Sequence, residues 1–229
     1  DDGLLKDYDD SLKNFQKEHN LTIFHLMGQH VNYKQRYRTK QARFSASSYE
    51  DKRPELTNAQ RKMLSHYDNA TLYNDSIVAQ IVKRFQKQDA IVIYVPDHGE
   101  ECDEENRGFI CRNHSAEIDW PLAHYEFEIP FWIYCSPKYI RNHRDIYRQI
   151  RKAKGKRFMT DALPHLLLYL AGIETPTYKE EYNILSPKYD EMRPRILKNS
   201  ADYDKLRDAH LEKIKKEESK KVKKKERRN

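Results

Sequence analysis

Ile91-Val92-Ile93-Tyr94-Val95 is followed directly by Pro96-Asp97-His98-Gly99-Glu100, and this stretch decides the fold. The apolar run is β-branched and aromatic, which predicts a buried strand. In open α/β sheets ligands bind just beyond the carboxyl ends of strands, where this chain has a carboxylate beside an imidazole. Oxygen and nitrogen donors suit zinc, or more loosely manganese, so Asp97 and His98 are candidate metal ligands. Taken alone, Asp97 would also suit a turn cap and His98 a solvated loop position.

A second apolar run precedes this stretch and also ends in a histidine. Residues 21–27 are predicted to form a strand, and Gly28-Gln29-His30 follows at its carboxyl end. A long helix is predicted over residues 57–88, because Thr57-Asn58-Ala59-Gln60 resembles a capping box and apolar residues then recur at helical spacing. Strand, loop, helix and the strand at 90–95 form a β-loop-α-β pattern, which predicts a parallel sheet with a right-handed crossover.

The remaining segments complete an α/β pattern. Residues 31–55 and 100–126 are polar and predict long loops, the first of a length that is usually functional. A third strand is predicted over residues 130–135, and residues 174–198 are expected to form an excursion with short strands. Helices are predicted at the following positions: 4–18, 139–151 and 160–170.

The basic charge is confined to the end of the chain. Residues 213–229 hold ten Lys or Arg and three Glu, which accounts for the whole net charge of +7. The body is therefore formally neutral, and binding of nucleic acid is not expected of it. Residues 1–198 are predicted to be the α/β portion and residues 199–229 a charged helical or disordered tail. Beyond Lys213 the sequence shows no apolar face, so the end of the chain is expected to be solvated or disordered.

Three cysteines form neither a structural zinc motif nor a disulfide framework. Cys102 and Cys111 lie in one loop and would be able to pair in an oxidising compartment, although the spacing neither requires nor excludes this. The longest apolar segment, residues 163–173, contains a proline and a histidine and is too short to span a bilayer. No signal peptide is recognised, and the start at Asp1 suggests a piece of a longer protein.

Several separated segments together resemble the bacterial phosphoethanolamine transferases, membrane-anchored members of the sulfatase and alkaline-phosphatase superfamily. Their order and spacing match over roughly residues 1–198, and the ordered set is far more specific than any one segment. The matching pieces are Phe24-His25-Leu26-Met27-Gly28-Gln29-His30, Tyr67-Asp68-Asn69, Leu72-Tyr73-Asn74-Asp75, Tyr94-Val95-Pro96-Asp97-His98-Gly99-Glu100, Ile129-Pro130-Phe131-Trp132 and Leu166-Leu167-Leu168-Tyr169-Leu170-Ala171-Gly172-Ile173.

The resemblance implies a sulfatase-like sheet with flanking helices, of which this chain is the C-terminal portion, and a zinc site. In that family an early Glu, a Thr nucleophile and the Asp-His of the Asp-His-Gly-Glu motif hold zinc, and the last pair falls on Asp97 and His98. His30 would face the phosphate or a second metal. A later histidine is carried onto His114, although this sequence departs there from the usual Leu-His-Gly. The Thr and the early Glu are expected N-terminal to Asp1.

The implied activity is metal-dependent transfer of phosphoethanolamine through a phospho-threonine. The donor would be phosphatidylethanolamine, the acceptor lipid A or the lipopolysaccharide core, and the location the periplasmic side of the inner membrane. A sulfatase or phosphodiesterase of the same superfamily is an alternative that Asp97 and His98 do not distinguish. A different class of function is binding to nucleic acid or another anionic surface, such as lipid headgroups, through the basic tail. Aromatic residues are not interleaved with that tail, which argues against base stacking.

Overall fold

The computed structural model of the chain describes residues 1–12, 19–108, 111–113 and 117–226, the last four of them as backbone. Two compact units are present, Asp1–Val92 with Glu100–Arg112 and Ile93–Gly99 with Asn113–Asn229. The helices are α1 (Asp2–Ser11), α2 (Asn58–Phe85), α3 (Trp120–Phe127), α4 (Pro137–Asn142), α5 (Arg144–Ala153), α6 (Leu163–Leu170) and α7 (Tyr203–Glu226). The strands are β1 (Ile91–Tyr94), β2 (Trp132–Cys135), β3 (Ile196–Leu197) and β4 (Ala201–Asp202).

Helix α2 is the longest described helix of the first unit, and it confirms the predicted long helix. Thr57 accepts a hydrogen bond from the Gln60 amide and the Gln60 side chain accepts one from the Thr57 amide, which is the predicted capping box. Ile77 and Ile81 of α2 pack with Leu5 of α1 in a buried cluster. The predicted helix over 4–18 is observed as α1, and residues 13–18 lie outside the described residues.

The strand predicted over residues 21–27 is wrong. This stretch is described in full, and no strand is assigned to it. Phe24 and Leu26 pack against the α1–α2 cluster, whereas the side chains of Leu21 and Ile23 are 77% and 78% exposed. Burial thus alternates as it does in a strand, but a strand also requires a hydrogen-bonded neighbour. The predicted β-loop-α-β unit therefore does not form among the residues that the structure describes.

The loop over residues 31–55 is irregular, as predicted, and is held on α2 by buried polar contacts. The Asn69 side chain accepts hydrogen bonds from the amides of Arg43 and Phe44 and donates to the Phe44 carbonyl. Tyr49 donates to Asp68 one residue earlier on the same helix. Because Asn69 is buried, these bonds also satisfy its own amide group.

Strands β1 and β2 form a two-stranded sheet, and β3 pairs antiparallel with β4. The predictions of strands near 91–95 and 130–135 are confirmed, each one to two residues shorter than expected. The Tyr94 and Trp132 rings stack with their centroids 5.2 Å apart. The chain passes into the second unit within β1, and the sheet end that follows carries Asp97 and His98.

Two helical predictions in the second unit are confirmed with changed boundaries. The helix expected over 139–151 is divided into α4 and α5 at His143, whose backbone is not helical. The helix expected over 160–170 begins as a single 3₁₀ turn and continues as α6. Leu166 of α6 is fully buried in a cluster with Ile184 and Leu185, which is the main core of this unit.

One predicted loop is interrupted by a helix, and the charged tail adopts the helical one of its two predicted alternatives. Helix α3 interrupts the loop predicted over 100–126, because Asp119 caps its first turn by accepting from the Leu122 amide. Helix α7 extends beyond Lys213, since Lys and Glu favour helix even without burial. Its side chains from Leu211 to Val222 are exposed, as the predicted solvation requires. None of the described helices is long and apolar enough to cross a membrane.

Candidate metal-binding site

Asp97 and His98 present one carboxylate and one imidazole together just past β1. The Asp97 Oδ2 and His98 Nε2 atoms are 3.7 Å apart, and the exposed fractions of the two side chains are 88% and 25%. Two ligand atoms on one tetrahedral zinc ion lie about 3.3–3.6 Å apart, given bond lengths near 2.0–2.2 Å. The pair is therefore close to the separation that a shared cation requires.

The histidine ring is oriented by its own loop. His98 Nδ1 lies 2.6 Å from the Gly99 carbonyl oxygen. A carbonyl oxygen only accepts hydrogen bonds, so Nδ1 carries the proton and donates it. In the neutral ring Nε2 is then the unprotonated nitrogen, and it lies 3.7 Å from Asp97 Oδ2. A second hydrogen bond of this kind is the usual device that fixes the tautomer of a metal-ligating histidine.

Gly99 is required because the backbone of α3 lies against it. Its amide donates to the Glu126 carbonyl at 2.8 Å, and a Cβ atom added at Gly99 would lie 2.2 Å from the Tyr125 carbonyl oxygen. Glu126 is itself buried and accepts from the Asn113 amide at 2.7 Å. The contact of this loop with α3 was not predicted from the sequence, although Asp119 ahead of Trp120-Pro121 indicates the start of a helix.

Glu100 begins the part of the motif that belongs to the first unit. Its Oε1 atom accepts from the Cys111 thiol at 2.9 Å. Buried Tyr33 lies near the same carboxylate, and burial together with the negative charge of Glu100 raises the pKa of Tyr33. Tyr33 was not singled out from the sequence, where it is one of sixteen tyrosines.

The acidic loop after Glu100 is docked on the start of α2. Asp103 is buried, and it accepts from Gln60 through its carboxylate at 2.9 Å and from Arg53 through its carbonyl at 2.8 Å. Buried Glu101 pairs with Arg107. Both carboxylates have partners within their own unit, and these contacts stabilise the loop.

The two cysteines of this loop are free thiols in the structure, so the pairing that the sequence left open is not formed. Burial raises the pKa of Cys102, and burial with the Glu100 carboxylate raises the pKa of Cys111 to about 11. Both thiols are therefore protonated near neutral pH. Since the thiolate is the nucleophile, neither cysteine is suited to replace the expected Thr.

The structure describes one of the two histidines that were predicted to be catalytic. His30 lies in the first unit on a turn closed by its amide and the Met27 carbonyl, and its ring is exposed. The amides of Met27 and Gly28 in the same turn donate to the Asp1 carboxylate. His114 lies outside the described residues.

The donor set is incomplete within the described part of the chain. No group of three His, Cys, Asp or Glu side chains there could enclose a metal ion. Asp97 and His98 nevertheless fit a divalent cation in atom type, separation and access. As two donors they would need further ligands from elsewhere to complete the four-ligand shell that zinc sites in proteins use.

Comparison with known proteins identifies the class. A model of the Sulfatase family matches residues 1–173, and the chain belongs to the sulfatase family. Phosphoethanolamine transferase EptC of Escherichia coli O18:K1:H7 (strain RS218 / NMEC) is 32% identical over 194 residues, 83% of this chain and 32% of the relative. Kdo(2)-lipid A phosphoethanolamine 7''-transferase of Escherichia coli (strain K12) is 30% identical over 161 residues, 66% of this chain and 26% of the relative.

The fold has a solved counterpart. The crystal structure of the C-terminal periplasmic domain of EcEptC from Escherichia coli, a complex with Zn, is similar with a TM-score of 0.71 and 28% identity. The match covers 88% of this chain and 56% of that chain. The resemblance and the sulfatase-like fold expected from the sequence are thereby confirmed. The chain spans about a third of the length of the curated relatives, 32% for EptC.

Proposed function

We propose that this chain is part of a metal-dependent phosphoethanolamine transferase of the sulfatase family. The single observation that carries the proposal is the Asp97–His98 pair, because a carboxylate oxygen and an imidazole nitrogen lie 3.7 Å apart just beyond β1 and the ring is oriented by the Gly99 carbonyl. The names of the relatives support phosphoethanolamine transfer, and the Zn complex of the solved domain supports zinc as the metal.

In the proposed site each residue of this chain has a limited task. Asp97 and His98 would hold zinc, or manganese or another divalent ion, and Gly99 would keep the loop closed on α3. A bound cation would supply positive charge that activates the nucleophilic hydroxyl and stabilises the phosphoryl oxygens. His30 would donate a hydrogen bond to a phosphate oxygen or protonate the leaving alkoxide, because its ring is exposed and its turn is held.

The remaining assignments rest on the family. His114 is proposed for a similar task on the resemblance alone. The Thr nucleophile and the early Glu are proposed to lie in a part of the protein outside these 229 residues. We further propose phosphatidylethanolamine as donor, lipid A or lipopolysaccharide core as acceptor, and the periplasmic side of the inner membrane as location. The division of the chain into an α/β portion, residues 1–198, and a charged tail, residues 199–229, also stays a proposal.

Substitution of the ligand pair in the complete protein tests this function. Asp97→Asn removes the charged oxygen donor and His98→Ala removes the nitrogen donor, so either variant is expected to lower phosphoethanolamine transfer to background. Bound zinc, measured by elemental analysis, is expected to fall in parallel. In the metal-free protein the thermal transition of Asp97→Asn should be almost unchanged, because Asp97 is largely exposed and surface changes usually shift stability by less than about 0.5 kcal/mol.

Matched controls use exposed residues of the same types, Asp75→Asn and His19→Ala. Both should retain transfer and zinc. Near-normal turnover in Asp97→Asn or His98→Ala would remove the catalytic assignment. Hydrolysis of a sulfate ester or a phosphodiester without transfer to a lipid acceptor would favour the alternative hydrolase instead.

A further inference from the structure

Helix α7 carries a charge pattern that the proposed site does not use. We call residues 211–226 the basic arm. The net charge of the whole chain, +7, equals that of residues 213–229, so the arm lies in the basic segment of an otherwise neutral body. Its side chains are exposed from Leu211 to Val222, whereas the first turns of α7 pack on α3.

The arm is anchored where it leaves the body. Tyr203 is buried against Trp120, and the Asp204 carboxylate accepts from Arg195 at 2.6 Å. Leu206 completes this packing. The exposed turns beyond Leu211 therefore extend from a helix whose start is fixed, which gives the arm a defined origin on the second unit.

The arm has two different faces. At about 100° per residue, Lys213, Lys216 and Lys220 fall within an arc of about 60°. Leu211, Ile214 and Val222 fall within about 80° on the opposite side, and their exposed fractions are 45%, 38% and 57%. Glu218 falls between them, so these residues form no continuous apolar face, as expected for this segment. A cluster of lysines on an exposed helix is attracted to anionic lipid headgroups mainly through its charge.

Electrostatic attraction would contribute more than apolar contact to the binding of a surface by the arm. Glu218 lies among the aliphatic residues and Lys215 lies beside them, so these residues offer little continuous apolar area. Lys216 pairs with Glu212 at 3.6 Å, but both side chains are at least 70% exposed and such a pair is weak. The lysine charges therefore stay available to an anionic partner.

We propose that the basic arm binds the surface of a bilayer that contains anionic phospholipid. A bilayer fits better than nucleic acid because the arm has aliphatic residues and lacks interleaved aromatic ones, which nucleic-acid stacking uses. The choice of a lipid partner also rests on the proposed function, whose substrates are lipids. On the arm, the lysine face would meet the phosphate headgroups.

Sedimentation of the 229-residue chain with vesicles tests this interaction. Vesicles of phosphatidylethanolamine with a minor fraction of phosphatidylglycerol are the probe, and phosphatidylcholine vesicles are the neutral reference. Binding to the anionic vesicles alone, weakening with added salt, is expected. Replacement of Lys213, Lys216 and Lys220 by Gln should lower the partition coefficient about a hundredfold, because each basic residue near the surface contributes about 1 kcal/mol.

A control variant replaces three exposed lysines of the body, Lys138, Lys152 and Lys154, by Gln and should bind vesicles as the unmodified chain does. Equal binding to phosphatidylcholine, or equal loss in both triple variants, would overturn the proposal. Binding to a DNA fragment more tightly than to anionic vesicles would assign the arm to nucleic acid instead. Since vesicle binding needs no turnover, Asp97→Asn should bind vesicles normally, which separates this proposal from the proposed function.

Discussion

Gly99 shows how one missing side chain shapes the candidate site. The Tyr125 carbonyl occupies the space that a Cβ would need, and the Gly99 amide bonds to the next carbonyl, that of Glu126. The same residue's carbonyl orients His98. Gly99 thus joins the loop that follows β1 to α3, and its carbonyl sets the tautomer of His98.

Gly99→Ala is expected to destabilise the second unit and to weaken zinc binding in the complete protein. A Cβ 2.2 Å from backbone requires the loop or α3 to shift, and such overpacking typically costs about 1–3 kcal/mol. Chemical denaturation measures the free energy of unfolding, and elemental analysis measures the metal. Gly3→Ala is the matched control, since a Cβ at Gly3 meets nothing within 4 Å and this residue lies in α1. Equal stability of both variants would contradict the tight approach.

For single residues of the candidate site, the sequence predicts the type of ligand group better than its position and orientation. Asp97 and His98 are neighbours in the chain, so their type and order already indicate a ligand pair. The partner of Gly99 lies at the far end of α3, and no local pattern around Asp97 predicts that contact. The orientation of His98 depends on the conformation of a single peptide unit, which a sequence does not specify.

Elements were predictable where local signals agreed with tertiary packing. Helix α2 has a capping box, regular apolar spacing and a buried face, and its prediction is confirmed. Residues 21–27 have the correct alternation but no paired strand, so the same kind of evidence led to a wrong element. For the charged tail the sequence left a helix and disorder open, and helix propensity without a buried face is sufficient for α7.

The start of α7 depends on an ion-pair cluster that should respond to acid. The hydrogen-bonded Arg195 guanidinium outweighs burial and, with Arg157 and Arg207, holds the pKa of Asp204 below its ordinary value. A depressed folded-state pKa stabilises the fold above the unfolded value near 3.9 and loses that effect as pH falls through the folded value. Asp204→Asn should therefore lower the free energy of unfolding by about 1–2 kcal/mol near neutral pH.

The difference between the unmodified chain and Asp204→Asn should shrink as the pH falls below about 4 and vanish once Asp204 is protonated. Urea unfolding monitored by circular dichroism across that range measures it. Asp145→Asn is the control, because Asp145 pairs with Arg148 at 2.9 Å but is 88% exposed, and such pairs contribute less than about 1 kcal/mol. A pH-independent difference for Asp204→Asn would show that packing, and not charge, anchors α7.

At the scale of the whole molecule, charge and chemistry are separated. The basic residues that set the net charge lie within residues 213–229, whereas Asp97 and His98 follow β1. A sequence-wide charge of +7 would indicate a nucleic-acid partner if it were spread over the body. Its confinement to the end of the chain keeps the proposed attraction to an anionic surface and the proposed metal site on different parts of the chain.

The 229 residues taken by themselves should bind zinc weakly. Asp97 and His98 supply two donors, and no group of three potential ligands occurs within the described part of the chain. A two-ligand site lacks the four-ligand shell that tight zinc sites in proteins use, so competition with a chelating dye should give a Kd no tighter than about micromolar. His98→Ala should weaken even this binding, whereas His19→Ala should not. Tight stoichiometric binding that survives His98→Ala would place the metal on other residues and remove Asp97 and His98 from the proposed site.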